Sequence, residues 1–394
     1  MTMLRQIGVA RATIAAFAAM GTLWGAYAAL IPDIKAALGV GDAGFGSLLL
    51  ATPVAAVVTM LAAPKAAPRF GRHVLPLAVL GFALAFAVPG WLARPGLFAL
   101  AMLLVGVTNA FLDVTMTARV SALELDRGLH LMNLNHAAYS FGYAGSAVFT
   151  GWARAAGLGP GSVLSGLALV VAVVALATVE RGQDINGFAR EAGTRAPMGR
   201  VPLWGGIIVL IAFMSENAAE NWSALHIERT LGAARGVGSL GPAVLALTMG
   251  VGRICGHGLV QRLDEGVLIR WGAVVAAVGM AVVGLAPSPW VAYAGLVITG
   301  LGGSVLAPTT FAVIGRLAAP QIRAQVIARA TALGYMGYFF GPPALGFLSQ
   351  MLGLRAALLA MAVVILAVLA LFPRLAAAGA NGQVRGEAGE ACRA

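Results

Sequence analysis

Long stretches of this chain carry no charge, and that constrains its fold more than anything else in it. Residues 12–31, 44–64, 74–93, 155–179, 330–354 and 356–373 contain no Asp, Glu, Lys or Arg, and 132–153 is interrupted only by His136. About 20 helical residues cross a hydrocarbon core about 30 Å thick, so each run is one crossing. The run 271–315 is twice that length, and Pro287-Ser288-Pro289 marks a turn near its middle. Three more crossings start at Leu97, Val201 and Ser239, provided that Asp113, Glu216 and Arg253 are tolerated inside them. The total is twelve. Only 10% of the 394 residues are charged, against roughly 25% in soluble domains, which argues against a soluble enzyme, a nucleic-acid binder or a disordered scaffold.

The net charge of +11 is read by its location. With the N-terminus in the cytoplasm, nineteen of the 26 Lys and Arg residues fall on the cytoplasmic side and six on the other, and Arg253 stays within a helix. This bias predicts a multi-pass inner-membrane protein with both termini cytoplasmic. The basic excess is then topological and gives nucleic-acid binding no support. All seven tryptophans are expected near helix ends, where an amphipathic ring suits the headgroup level. Arg5, Arg11 and the triplet Ala26-Tyr27-Ala28 imitate a signal peptide, but the apolar run is too long and eleven more follow. Two cysteines provide no disulfide framework. No P-loop, nucleophile elbow or metal-ligand spacing occurs, so the expectation is no cofactor, no metal and no enzymatic chemistry.

The longest polar stretch, 180–200, divides the chain into a first six-helix half over 1–179 and a second over 201–373, followed by a tail, 374–394, expected to be cytoplasmic and disordered. One constant offset lays Leu38-Gly39 on Leu231-Gly232, Ile34 on Ile227 and Arg69 on Arg262. A shared offset at the same place in both halves suggests duplication. The expected architecture is an all-α membrane protein of twelve helices in two pseudo-symmetric six-helix bundles, a transporter layout with its substrate site between the halves near the midplane.

The loop after the second crossing reads Arg69-Phe70-Gly71-Arg72-His73, which resembles the end of the Gly-x-x-x-Asp-Arg-x-Gly-Arg-Lys motif of the major facilitator superfamily, with prolines at the Gly and Asp positions. Gly252-Arg253 to Gly256, followed by Gln261-Arg262, resembles the equivalent loop of the second half. The segment Ser215-Glu216-Asn217-Ala218-Ala219-Glu220-Asn221-Trp222-Ser223-Ala224-Leu225 is similar to one in the YbjJ-like inner-membrane branch, distantly akin to fucose:proton symporters, and 109–113 with Asn133-Leu134-Asn135-His136 fits the same branch. The resemblance implies the major facilitator fold and secondary transport. It assigns Arg69, Gly71, Arg72, Arg253 and Arg262 to structural loop motifs.

Intramembrane polar residues are functional candidates by default. Asp113 lies on the cytoplasmic half of its helix with Asn109 one turn away. Burial disfavours the charged form of a carboxylate, so Asp113 is the first candidate for proton coupling; the alternative is a permanent pair with Arg119 or Arg127. Glu216 and Glu220 stack at i and i+4, so at least one is protonated, hydrogen-bonded or hydrated. Glu216 is a coupling or gating candidate, and Glu220 lies either in the cavity or at the outer interface. Asn217 and Asn221 form a polar line suited to hydroxyls, or to helix–helix contact. His136 is either a proton relay toward Asp113 or a histidine satisfied at a helix start. Tyr139 and Tyr335 are candidate cavity rings. These residues point to a monomeric transporter whose partners are the lipid bilayer, protons and a small polar, sugar-like solute. The rivals are proton-driven export of metabolites or drugs, which the missing proline in the fifth crossing weighs against, and a sensor that keeps the fold without transport.

Overall fold

Two long helices of the first half end at a glycine in the left-handed region, Gly39 and Gly128. The computed structural model describes residues 3–129, 131–180, 198–260, 263–319 and 322–391. A short α1 (Met3–Val9) leads into α2 (Arg11–Leu38), and α3 (Asp42–Leu48) and α4 (Ala51–Ala66) together make the second crossing. The first half continues with α5 (Val74–Phe86), α6 (Pro95–Arg127), α7 (Met132–Ala155) and α8 (Pro160–Val174). The second consists of α9 (Val201–Leu225), α10 (Leu240–Val260), α11 (Glu265–Leu285), α12 (Pro289–Leu317), α13 (Arg323–Leu352) and α14 (Leu354–Ala391). The aligned glycines of the two halves behave alike: Gly39 closes α2 at φ 63°, and Gly232 turns the chain after α9 at φ 70°, a region that favours a residue without Cβ.

Nine stretches of the described residues are long and apolar enough to cross a bilayer, and one of these, Asp42–Trp91, folds into two crossings. The other two crossings are α7 and α13, which bring His136, Tyr139, Tyr143, Tyr335 and Tyr338 to an internal cavity. One apolar core joins Phe17, Tyr27, Phe82 and Phe98 in the first half, and another joins Ile208, Trp222, Ile269 and Leu358 in the second. Lipid offers little hydrophobic drive between helices, so close backbone approach through small residues carries much of the packing. A Cβ on Gly21 or Gly25 would collide with the carbonyl oxygens of Tyr139 and Tyr143, so α2 and α7 meet backbone to backbone. Gly25→Val is expected to destabilise the fold by about 1–3 kcal/mol, read as a lowered thermal midpoint of the purified protein; an unchanged midpoint would show that the two helices separate freely.

Alternation of the crossings puts both described ends of the chain on one face, and charge ties the halves together on the opposite face. Arg154, fully buried, reaches Asp33 of its own half at 2.9 Å and Glu228 of the other at 2.7 Å, and also donates to the Ala29 carbonyl and the Ser239 hydroxyl. Arg235 adds a 2.8 Å pair to Asp33. A second tie centres on Asp42, which accepts from Arg229 at 2.6 Å, from the Ser349 hydroxyl at 2.5 Å and from Lys35 at 3.0 Å. On the face of the termini, Arg119 pairs with Glu180 and Arg316 with Glu265, each within its own half. Among the described residues, no ion pair joins the halves there.

Two expectations are corrected. Helix α14 runs on to Ala391 rather than giving way to disorder after 373, because an alanine-rich segment continues it, with Leu375 fully buried and Gly379 against Leu317. Trp91, Trp152, Trp271 and Trp290 are exposed at helix ends as a headgroup belt requires. Trp24 instead sits mid-helix and Trp222 is fully buried against Phe45, so these two serve the interior.

Candidate functional site

Between the halves lies a cavity of about 320 Å³, walled by α2, α4 and α6 of the first half with α7, and by α9, α10 and α13 of the second. Helix α6 places Asn109 and Asp113 on it, one turn apart on one face. The indole of Trp24 donates to Asn109 Oδ1 at 2.8 Å, which fixes the amide and leaves its NH₂ group for other partners. The Tyr335 hydroxyl, from the other half, donates a long hydrogen bond of 3.5 Å to Asp113 Oδ2. Asp113 is therefore contacted by the opposite bundle, and the Arg119 pairing weighed from sequence is taken up by Glu180.

Helix α9 contributes Glu216, Asn217, Glu220 and Asn221. Glu216 forms an ion pair with Arg253 of α10 at 3.1 Å, both largely buried. Glu220 faces the cavity with no hydrogen bond or ion pair among the described residues, so its alternative placement at the outer interface is set aside. Asn221 donates back to the Asn217 carbonyl at 3.0 Å, while Asn217 Oδ1 is buried without a partner. The Tyr27 hydroxyl, on a fully buried ring lining the same cavity, is also unpartnered.

Aromatic rings complete the walls. His136 opens onto the cavity with its ring edge-on to Phe17 at 5.1 Å. Tyr139 and Tyr143 are neighbours at 6.0 Å, and Tyr338 stacks on Phe213 at 4.9 Å with Tyr335 beside both. Amides, carboxylates and ring faces thus converge from both halves on one shared space, the usual composition of a small-molecule site.

The structure brings together Asp113, Glu216, His136, Asn109, Asn217, Glu220, Asn221, Tyr139 and Tyr335. It places Arg253, two turns before the end of α10, on the cavity wall with its guanidinium paired to Glu216. Arg69 and Arg72 do lie in the 67–73 segment, bonded to the Lys65 carbonyl and to His73, and Gly71 takes φ 49° there. Arg262 lies outside the described residues. Sequence reasoning missed Trp24, Tyr27 and Phe213 in the cavity and the whole charge cluster around Arg154 and Asp42. Trp24 had a signal, since it falls in the middle of its uncharged run rather than at an end.

The chain is 27% identical over 360 residues to an uncharacterized MFS-type transporter of Yersinia pestis, covering 90% of this chain and 92% of the relative. Its fold is similar to that of a bacterial homolog of the human lysosomal transporter Spinster, solved in an inward-facing, unoccupied conformation, at 14% identity and a TM-score of 0.77 over 97% of this chain and 99% of that one. The E. coli fucose:proton symporter is also similar in fold, with 14% identity and a TM-score of 0.62 over 94% and 99% of the two chains. The family model described as Major Facilitator Superfamily matches residues 12–294 and 207–389. With both halves matched and the helices arranged around a central cavity, the chain belongs to the Major Facilitator Superfamily of membrane transporters.

Proposed function

We propose that this transporter carries a small polar solute with a hydroxylated, sugar-like body across the inner membrane in symport with protons, with both termini in the cytoplasm. The observation that supports it best is the junction at Asp113: a carboxylate on one bundle, bonded by Tyr335 of the other, inside a cavity lined by amides and rings. The amides Asn109, Asn217 and Asn221 suit hydroxyl groups, and the tyrosine and tryptophan faces suit the apolar faces of a sugar ring.

Alternating access closes the cavity alternately on either side, and each closure strips water from Asp113. A carboxylate without water is tolerated when it is protonated or well paired, so proton occupancy at Asp113 decides which closures are permitted. Tyr335 couples that occupancy to the other bundle, because its hydroxyl bonds the charged carboxylate more strongly than the neutral carboxyl. Glu216, held by Arg253, is the candidate for control of access, and His136 for proton passage.

The test uses proteoliposomes and a panel of labelled monosaccharides and polyols. Accumulation against a gradient is expected when a pH difference is imposed, with loss on adding a protonophore and exchange that persists at equal pH. Exchange without any effect of pH gradient would remove the coupling; binding without exchange would favour a sensor. Labels placed within 180–200 and after Arg393 are expected to report cytoplasm, and a periplasmic signal from either would overturn the orientation.

A further inference from the structure

The cavity is unbalanced in charge, and acceptors on its wall stand without donors. Three carboxylates line it, Asp113, Glu216 and Glu220, against one guanidinium, Arg253, which is committed to Glu216. Asp113 receives the Tyr335 hydroxyl, and Glu220 receives nothing among the described residues. Of the buried polar atoms left without a partner, the two on the cavity wall are the Asn217 Oδ1, which only accepts, and the Tyr27 hydroxyl, on a ring with 0% exposure. Glu220 and the Asn217 Oδ1 are thus acceptors without a donor, and the carboxylates outnumber the guanidinium three to one. Electron-rich ring faces surround the cavity, which suits a cation further.

We propose that the solute carries a protonated amine on its hydroxylated body and that Glu220 is the counter-charge for that ammonium, with Asn217 accepting from the same group or from an adjacent hydroxyl. This deepens the proposed function and rests on its reading of the cavity as a solute site. The three carboxylates then have separate roles, in which Glu220 recognises, Asp113 takes up the transported proton, and Glu216 holds Arg253. An anionic solute is disfavoured by the same count, since it would have to break the Glu216–Arg253 pair and face two further carboxylates.

The experiment is a thermal-shift titration of the full chain in detergent with matched probes, at a pH where amines are charged: glucosamine, glucose, N-acetylglucosamine, glucuronate and cyclohexylamine. Anything that binds the folded state raises its midpoint, so the probes rank by affinity. Glucosamine is expected to bind at least tenfold more tightly than glucose or N-acetylglucosamine, with glucuronate weakest. In Glu220→Gln that advantage is expected to fall to parity with glucose, and Glu220→Asp is expected to restore part of it, which guards against a folding defect in the amide variant. Equal binding of glucose and glucosamine, or an amine preference that survives Glu220→Gln, would overturn the ammonium site and leave the sugar-like reading standing. Stabilisation by cyclohexylamine alone would keep the ammonium site and remove the sugar-like body. Stabilisation by glucuronate alone, or by no probe, would overturn both.

Discussion

Asp113→Asn is expected to abolish proton-driven accumulation while counterflow at equal pH on both sides persists, with the pH dependence of transport flattened. An amide imitates the neutral carboxyl in shape and still accepts from Tyr335, whose bond to Asp113 is 3.5 Å long, so binding and reorientation survive. The cycle loses the proton that made it uphill. Proteoliposome uptake with and without an imposed pH gradient separates these behaviours. Undiminished accumulation by the variant would remove Asp113 from coupling and leave Glu216 or His136 to be tested. Loss of both modes would assign Asp113 to binding or folding.

Arg154→Ala is expected to have the largest effect on the conformational balance. The guanidinium is fully buried and bonds Asp33, Glu228, Ser239 and the Ala29 carbonyl at once, so its removal leaves two acids short of their shared partner. Breaking a buried pair in this way costs about 3–5 kcal/mol, enough to expose the face opposite the termini. Ala147, buried with Ala29 and Ala243 behind this cluster, is the reporter. In a background lacking Cys255 and Cys392, labelling of Ala147→Cys by a membrane-impermeant maleimide should rise more than tenfold when Arg154 is replaced. Arg154→Lys should restore little, since an ammonium lacks the planar fork that spans two carboxylates. Arg72→Ala, bonded only to its neighbour His73, should leave labelling unchanged. Equal labelling with and without Arg154 would show that the charge cluster does not hold the halves together.

Much of the fold was legible because bilayer thickness and side-chain transfer energies act on single helices, which a linear string displays. The interior polar residues were legible for the same reason: Asp113, Glu216, His136, Asn109 and Asn217 each stand out against an apolar run. Depth was harder to read. Glu220 can be given a headgroup-level role by sequence distance alone, and only the tilt and packing of α9 turn it to the cavity. The partner of Arg253 was not legible, because Glu216 lies 37 residues earlier and on another helix. The ties of Asp33 to Arg235 and Asp42 to Arg229 bridge 202 and 187 residues. Each acid and arginine sits beside a turn, where charge is unremarkable, and nothing local marks it as half of a pair.

Concentrating the inter-bundle ion pairs on one face makes the carrier unequal in time. The pairs found among the described residues favour closure of that face, so the protein without solute is expected to dwell with its cavity accessible from the side of the termini, and a solute arriving from the other side to await a rarer opening. Apparent affinity equals intrinsic affinity scaled by the fraction of protein competent to bind, so every 1.4 kcal/mol held in those pairs raises the half-saturating concentration on the tied side about tenfold. Two faces of one site, lined by the same residues, would therefore show different half-saturation values. Exposed members such as Arg235 and Arg229 are open to screening by salt while Arg154 is not, so the ionic strength of the medium on the tied side becomes a setting for that inequality.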